Sequence, residues 1–172
     1  MKHYLSSCFF LLTLFVTVTA AAQPVKNIDR NTLYADFAIK GATYSVNYDR
    51  VFSYGKKLAK SFRVGFSVLN DAIAFPLGIQ FYSGKEAHHL EYSLTIVPYI
   101  EKYQDLFSGT SISDKKLYIL PGLGYRYQPP TGGFFAKIVA GPLIYLDPAA
   151  DDAVHMETKV YPGITAGAGF SF

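Results

Sequence analysis

The 172-residue chain has one cysteine, no tryptophan and only 17% charged residues. A single cysteine has no partner within the chain, so no intrachain disulfide supports the fold. The charged fraction falls well short of the roughly 25% usual in soluble domains. The net charge of +3 is too small to mark a surface for polyanions, and a nucleic-acid partner is excluded on that ground. After the first 22 residues every hydrophobic stretch is interrupted by Asp, Lys, Ser, Asn or Gly within a few positions. No run of 18 apolar residues remains there, which excludes a membrane-spanning helix in that part of the chain. What the sequence has in quantity is 14 Tyr, 14 Phe and 14 Gly within a 50% hydrophobic composition, too apolar for a disordered chain.

The N-terminus reads as a targeting segment. Lys2 and His3 lead into the apolar run from Cys8 to Val16, which ends in Ala20-Ala21-Ala22 before Gln23, the layout of a secretory signal peptide with an A-x-A-like cleavage site. We divide the chain into a signal peptide, 1–22, a short N-terminal segment, 23–31, and one domain, 32–172. Removing 22 of the 172 residues leaves 150, with 15 basic and 13 acidic residues and no cysteine. Cys8 precedes the hydrophobic run instead of following it, which argues against a lipoprotein anchor.

From residue 32 onward the pattern has a period of two, as expected of strands with one apolar and one polar face. Leu33, Ala35, Phe37 and Ile39 alternate with Tyr34, Asp36, Ala38 and Lys40. Phe62, Val64, Phe66 and Val68 alternate with Ser61, Arg63, Gly65 and Ser67. Val160, Ile164, Ala166, Ala168, Phe170 and Phe172 alternate with Tyr161, Gly163, Thr165, Gly167, Gly169 and Ser171. Eight such segments predict an all-β, eight-stranded antiparallel up-and-down barrel. In a soluble lipocalin-like barrel the polar face would meet water and carry many Lys and Glu. Here that face is mostly Gly, Ser, Thr and Ala, which suits a narrow interior, while the Phe, Leu, Ile and Tyr face suits lipid. A transmembrane barrel is therefore expected, with aromatic girdles near strand ends. The longest connections, expected near 101–115 and 147–159, would face outward, and the turns at 83–86 and 129–133 the periplasm. That places both termini in the periplasm.

The segments Ser45-Val46-Asn47-Tyr48-Asp49-Arg50, Phe75-Pro76-Leu77-Gly78, Gly84-Lys85-Glu86-Ala87-His88-His89-Leu90-Glu91, Gly122-Leu123-Gly124-Tyr125-Arg126-Tyr127-Gln128-Pro129 and Tyr161-Pro162-Gly163-Ile164 carry a resemblance. With them the chain resembles a family of small eight-stranded outer-membrane β-barrel proteins of Bacteroidetes-type Gram-negative bacteria. The resemblance implies an outer-membrane barrel and brings no catalytic site. Phe170 and Phe172, closing the last alternating strand, look like the signal read by the barrel assembly machinery.

The inward charges are the candidate functional residues. Asp49, Arg63, Glu91, Arg126 and Lys137 fall in one half of the lumen with Asn47, Gln80 and His89. Isolated buried charges are costly, so they should form a network, with Glu91 pairing Arg126 or Arg63. A plugged polar lumen follows, without a continuous water channel, since eight strands leave little more than room for side chains. A lipid-modifying enzyme is the competing reading, because His89, Glu91 and Ser93 share a face. Residues two apart on a strand lie about 7 Å from each other, too far for a nucleophile to meet its base, and we expect no enzyme. Neither His88 nor His155 has a second ligand at metal spacing, and no metal or cofactor is expected. The loop from Asp147 to Asp152 reads as a solvated acidic segment. Pro76, Pro98, Pro121, Pro142 and Pro162 interrupt strand patterns and predict bulges around a shallow pocket in the outer lumen. The expected partners are outer-membrane lipid, lipopolysaccharide, periplasmic chaperones and the assembly machinery, with the protein a monomer. A small-ligand or narrow transport barrel is the alternative.

Overall fold

The computed structural model describes residues 30–55, 57–69, 72–101, 114–149 and 152–172. The expected signal peptide, 1–22, and most of the 23–31 segment lie outside the described residues. The strands are β1 (Asn31–Ala38), β2 (Tyr44–Tyr54), β3 (Ala59–Leu69), β4 (Ala72–Ala74), β5 (Leu77–Lys85), β6 (His88–Glu101), β7 (Asp114–Tyr127), β8 (Gly133–Ala149) and β9 (Asp152–Ser171). No helix occurs among the described residues. β4 and β5 both pair with β3 on one side and β6 on the other, so they are two pieces of one strand broken at Phe75-Pro76. Counted so, eight antiparallel strands run up and down in sequence order. β9 returns to β1, from Thr32↔Ser171 to Ala38↔Thr165, and closes the sheet into a barrel without a lateral edge.

The end carrying Asn31 and Phe172 is the terminal end, where the two residues exchange backbone hydrogen bonds of 3.1 and 2.9 Å. The opposite end is the far end. Connections at the terminal end are short, 55–58, 86–87 and 128–132. The first is held by a 2.8 Å bond from Gly55 N to Leu58 O. At the far end residues 102–113 separate β6 from β7 and lie outside the described residues.

The alternation folds as the side chains dictate. On β1 Thr32, Tyr34 and Asp36 are buried, while Leu33 and Phe37 are 51% and 61% exposed. Around the barrel most large apolar side chains stand outside and polar ones dominate the centre, with Tyr34, Tyr82, Phe135, Leu120 and Leu143 packed among them. Among the described residues seventeen polar or charged residues are buried against ten apolar ones, the reverse of a water-soluble core.

Two expectations fail. The stretch 147–159 is not simply a loop. β8 and β9 stay paired through Asp147↔Glu157 to Ala149↔Asp152, with a register shift between Asp147 and Ala149. An acidic segment can still ladder, because backbone pairing does not require either face of a hairpin to be apolar. Nor do Pro76, Pro98, Pro121, Pro142 and Pro162 create bulges, although Pro148, which was not among those expected to, lies within the Asp147/Ala149 shift. The other register shift lies between Val51 and Ser53, away from any proline. Pro76 is accommodated by the β4/β5 break, where its carbonyl accepts from Gly65 N at 2.8 Å and Pro98 O accepts from Phe75 N at 3.0 Å. Pro121 and Pro142 sit where the β7–β8 pairing lapses between Ile119↔Ile144 and Leu123↔Ala140, with the register unchanged. At these positions the missing donors cost ladder bonds locally without adding a residue.

Candidate functional site

Among the described residues the buried charged side chains gather in the lumen. Arg126, on β7, is fully buried. Its Nη1 donates to Asp49 Oδ2 at 2.9 Å and to Glu91 Oε2 at 3.3 Å, and its Nε donates to Gln128 Oε1 at 2.7 Å. Gln128 Nε2 passes the chain on to Thr32 Oγ1 at 3.2 Å. The guanidinium also lies against two rings, 4.4 Å from the centroid of Tyr82 and 4.8 Å from that of Phe135, both in the range of cation–π attraction. Lys137, opposite Arg126 in the β7–β8 register, donates to Glu91 Oε1 at 3.3 Å. Glu91 therefore bridges two cations, one with each oxygen.

A second cluster stands beside the first. Arg63 Nη2 lies 2.8 Å from Asp36 Oδ2, and Arg63 Nε donates to Asn47 Oδ1 at 2.9 Å. The Tyr34 ring joins the clusters, 5.6 Å from the Arg63 guanidinium, 5.0 Å from Lys137 Nζ and 5.0 Å from the Phe135 ring. Glycines leave the space these side chains need. A Cβ at Gly65 would fall 2.1 Å from Asn47 Oδ1, and one at Gly167 would fall 2.9 Å from Asp36 Oδ1.

All five residues singled out in the sequence, Asp49, Arg63, Glu91, Arg126 and Lys137, lie inside the barrel and are buried. Glu91 meets Arg126 but not Arg63, which takes Asp36 instead. Asp36 is the residue the sequence reading left out of the network. The five alone carry three positive and two negative charges, and Asp36 brings the buried set to neutrality. That unbalanced count was the available signal. The rings of Tyr82, Phe135 and Tyr34 were also missed as parts of the plug, since alternation says that a side chain points inward and not what it stacks on. Phe170 and Phe172 stand on the outer surface at the terminal end, 60% and 61% exposed.

No protein-family model, curated protein or solved structure matches the chain. The function has to be read from the barrel's own side chains. His89 is 2% exposed, donates from Nε2 to Gln128 O at 3.3 Å and packs edge-on to Tyr82 at 5.8 Å. Glu91 is committed to Arg126 and Lys137, and Ser93 sits across the β6–β7 register from Gly122. Among the described residues no hydrogen bond joins His89 to Glu91 or Ser93. Chemically, the arrangement neutralises and locks: three cations meet three carboxylates, and aromatic rings fill the space between.

Above the Arg63–Asp36 pair, toward the far end, the packing loosens into a cavity of about 40 Å³ bounded by Ala38, Ser45, Pro76, Thr95, Leu120 and Leu143, among others. The largest fully buried side chains lie in the terminal half, while Tyr118, Leu120, Leu143 and small residues line this half.

Proposed function

We propose that the chain is an integral outer-membrane β-barrel protein with periplasmic termini and a plugged polar lumen, with a structural or surface-interaction role and no catalytic one. The observation that carries this reading is the outer surface. Phe37, Phe66, Ile79, Leu94, Ile138 and Ile164, from six different strands, are all at least 39% exposed. Between the rims the outward positions of every strand are apolar or aromatic. The first outward charges are Arg50 and Lys60 at the terminal end and Lys115 at the far end. A continuous apolar girdle of this kind is far larger than any patch a soluble monomer exposes, and a bilayer is the surrounding that removes it from water. The eight staves have about the 9–11 residues, or more, that a tilted transmembrane strand needs, with β1 the shortest at 8. The orientation is supported by the 12-residue connection between β6 and β7 and by the β8–β9 hairpin that runs on to Ala149↔Asp152, both at the far end, against terminal-end turns of at most five residues; the far-end connections 39–43 and 70–71 are as tight.

On this reading the belt meets outer-membrane lipid, and lipopolysaccharide at the far end. Periplasmic chaperones and the barrel assembly machinery handle the chain before insertion. A closed barrel offers no edge for strand pairing with a second copy, which supports reading the protein as a monomer. The experiment is the gel mobility of the mature protein refolded in detergent, boiled and unboiled, with membrane fractionation of cells that express it. A faster unboiled band that fractionates with the outer membrane is expected. A water-soluble product whose mobility does not change on boiling overturns the reading. In planar bilayers the folded protein is expected to give no steady conductance.

A further inference from the structure

The outer surface at the terminal end differs around its circumference. On β6, β7, β8, β9 and β1 the outward residues nearest that rim are His88, Tyr127, Phe134, Phe172 and Leu33, without a lysine or arginine among them. On β2, β3 and β5 they include Arg50, Lys60 and Lys85, all exposed. The outward lysines and arginines of this rim thus fall on three neighbouring staves. Among the described residues none of the three has a carboxylate in ion-pairing range, whereas Lys116 at the far end has Glu101 at 2.7 Å. Glu86, in the turn after β5, is the one acidic side chain on this rim among the described residues. Aromatic rings all round are what any bilayer interface favours. A one-sided sector of unmatched cations asks for something more, an anion held at one place on the circumference.

The sector has a surface to go with its charge. Arg50 stands opposite Phe62 in the β2–β3 register, and Lys60 is two residues along β3, a diagonal relation that sets the two roots about 7–8 Å apart, within reach of one phosphate for side chains this long. The Phe62 ring stacks on Phe52 at 6.5 Å and 27° and meets Tyr48 edge-on at 6.5 Å. Tyr48 and Phe52 flank Arg50 on its own strand, so rings border it on three sides. On the fourth is Asn31, opposite Arg50 in the β1–β2 register, whose Oδ1 accepts from the Tyr48 hydroxyl at 2.6 Å, which leaves its Nδ2 to donate. Inward along β3 from Lys60 the outward face is Phe62, Val64 and Phe66, all apolar and exposed. The cations therefore sit where the apolar girdle ends, the level at which a bilayer places its phosphates.

We propose that this sector binds an anionic glycerophospholipid of the leaflet around the terminal end. The Arg50 guanidinium takes the lipid phosphate with two parallel hydrogen bonds, Lys60 and Asn31 Nδ2 donate to its remaining oxygens, and an acyl chain runs from the Phe52–Phe62–Tyr48 surface along Val64 and Phe66. Lys85, on the next stave, adds its charge beside the headgroup. A headgroup that carries its own cation would bring a fourth positive charge against three, so net-negative lipid is selected over zwitterionic lipid. The inference rests on the membrane reading and deepens it, and the gel and fractionation experiment judges that reading separately.

The test is a titration of the isotope-labelled mature protein, refolded in uncharged maltoside micelles, with dihexanoyl phosphatidylglycerol and in parallel with dihexanoyl phosphatidylcholine, followed through backbone amide shifts. Saturable shifts centred on Asn31, Arg50, Phe52, Lys60 and Phe62 are expected, at several-fold lower concentration for the glycerol headgroup than for the choline one. Arg50→Gln and Lys60→Gln should each weaken phosphatidylglycerol binding about fivefold, the worth of one cation at an anionic lipid surface. Lys115→Gln, which removes an outward charge at the far end, should leave it unchanged. Equal responses to the two lipids, shifts spread evenly around the barrel, or no saturable shift overturn the proposal. So does an equal response to inorganic phosphate, which would make the sector a plain anion site. A protein that keeps its fast unboiled band and fractionates with the outer membrane but shows no lipid preference overturns the lipid site alone; one soluble without detergent overturns both readings. The wild-type comparison of the two lipids decides the question even if a variant fails to fold.

Discussion

The two halves of the lumen are walled by the same eight strands and packed in opposite ways. In the terminal half Arg126, Tyr82, Phe135, His89, Gln80, Gln128 and Glu91 are among the largest fully buried side chains of the molecule, and nearly every one is held by a charge, a ring or a hydrogen bond. In the far half the wall is interrupted at Pro76 and unpaired beside Pro121 and Pro142, and the centre holds a cavity under the Tyr118 ring. A narrow barrel does not fix its own interior. Side-chain volume does, and here it is spent at one end, which becomes a plug, and withheld at the other, which becomes a recess.

If the plug is what makes the terminal half rigid, the largest effect should come from its hub. Arg126→Ala leaves Asp49 and Glu91 buried with one fewer cation and opens the space between Tyr82 and Phe135. Breaking a buried pair by removing one partner costs about 3–5 kcal/mol, and the loss should appear in urea unfolding of the refolded barrel, read as the disappearance of the fast gel band. A loss under 1 kcal/mol would mean that water enters the plug readily and that the halves do not differ as described.

Next comes backbone packing at the same end. A Cβ on Gly169 would stand 2.1 Å from Leu33 O and 2.5 Å from Tyr34 Cα, atoms of the neighbouring strand's backbone or rooted to it. Gly169→Ala should cost about 3 kcal/mol, the upper range for overpacking where nothing can yield. A smaller effect is expected of Lys137→Met, which keeps the stem and removes the charge. Glu91 then loses the 3.3 Å bond from Lys137 but keeps the one from Arg126, and about 1–2 kcal/mol should go in the same assay. A Lys137→Met loss equal to that of Arg126→Ala would show that the two cations share the burden evenly, and Arg126 would no longer be the hub.

Alternation made the inside and outside of the strands legible, because an apolar outer surface and a crowded lumen each leave a plain mark on residues two apart. Depth was legible too for Arg126, Glu91 and Lys137, whose neighbours in register follow from short turns. Partners across the lumen were not. Asp49 stands beside Arg63 in the β2–β3 register yet reaches Arg126, and Arg63 turns to Asp36. Such choices depend on barrel curvature and tilt, which a strand-by-strand pattern does not contain. The β8–β9 ladder beyond Leu146 was hidden for a different reason: outside the apolar belt a hairpin has no polarity to alternate, so Asp147 and its neighbours read as a loop.

The smallest effect belongs to the far half and closes the comparison with Gly169. Gly163 also faces inward, but a Cβ placed there would first meet Leu120 Cδ1 at 2.8 Å, the free end of a flexible side chain, then Leu143 Cβ at 3.1 Å. Leu120 and Leu143 both line the cavity, so the displaced methyl has empty space to move into. Gly163→Ala should therefore cost about 1 kcal/mol or less, and it should shrink the cavity as it does so. The pair Gly163→Ala and Gly169→Ala makes the same chemical change on one strand, at two depths, in one unfolding assay. Equal penalties would mean that the recess is packed as tightly as the plug. An alanine tolerated at 163 and refused at 169 places the looseness of the lumen at the end where the cavity lies.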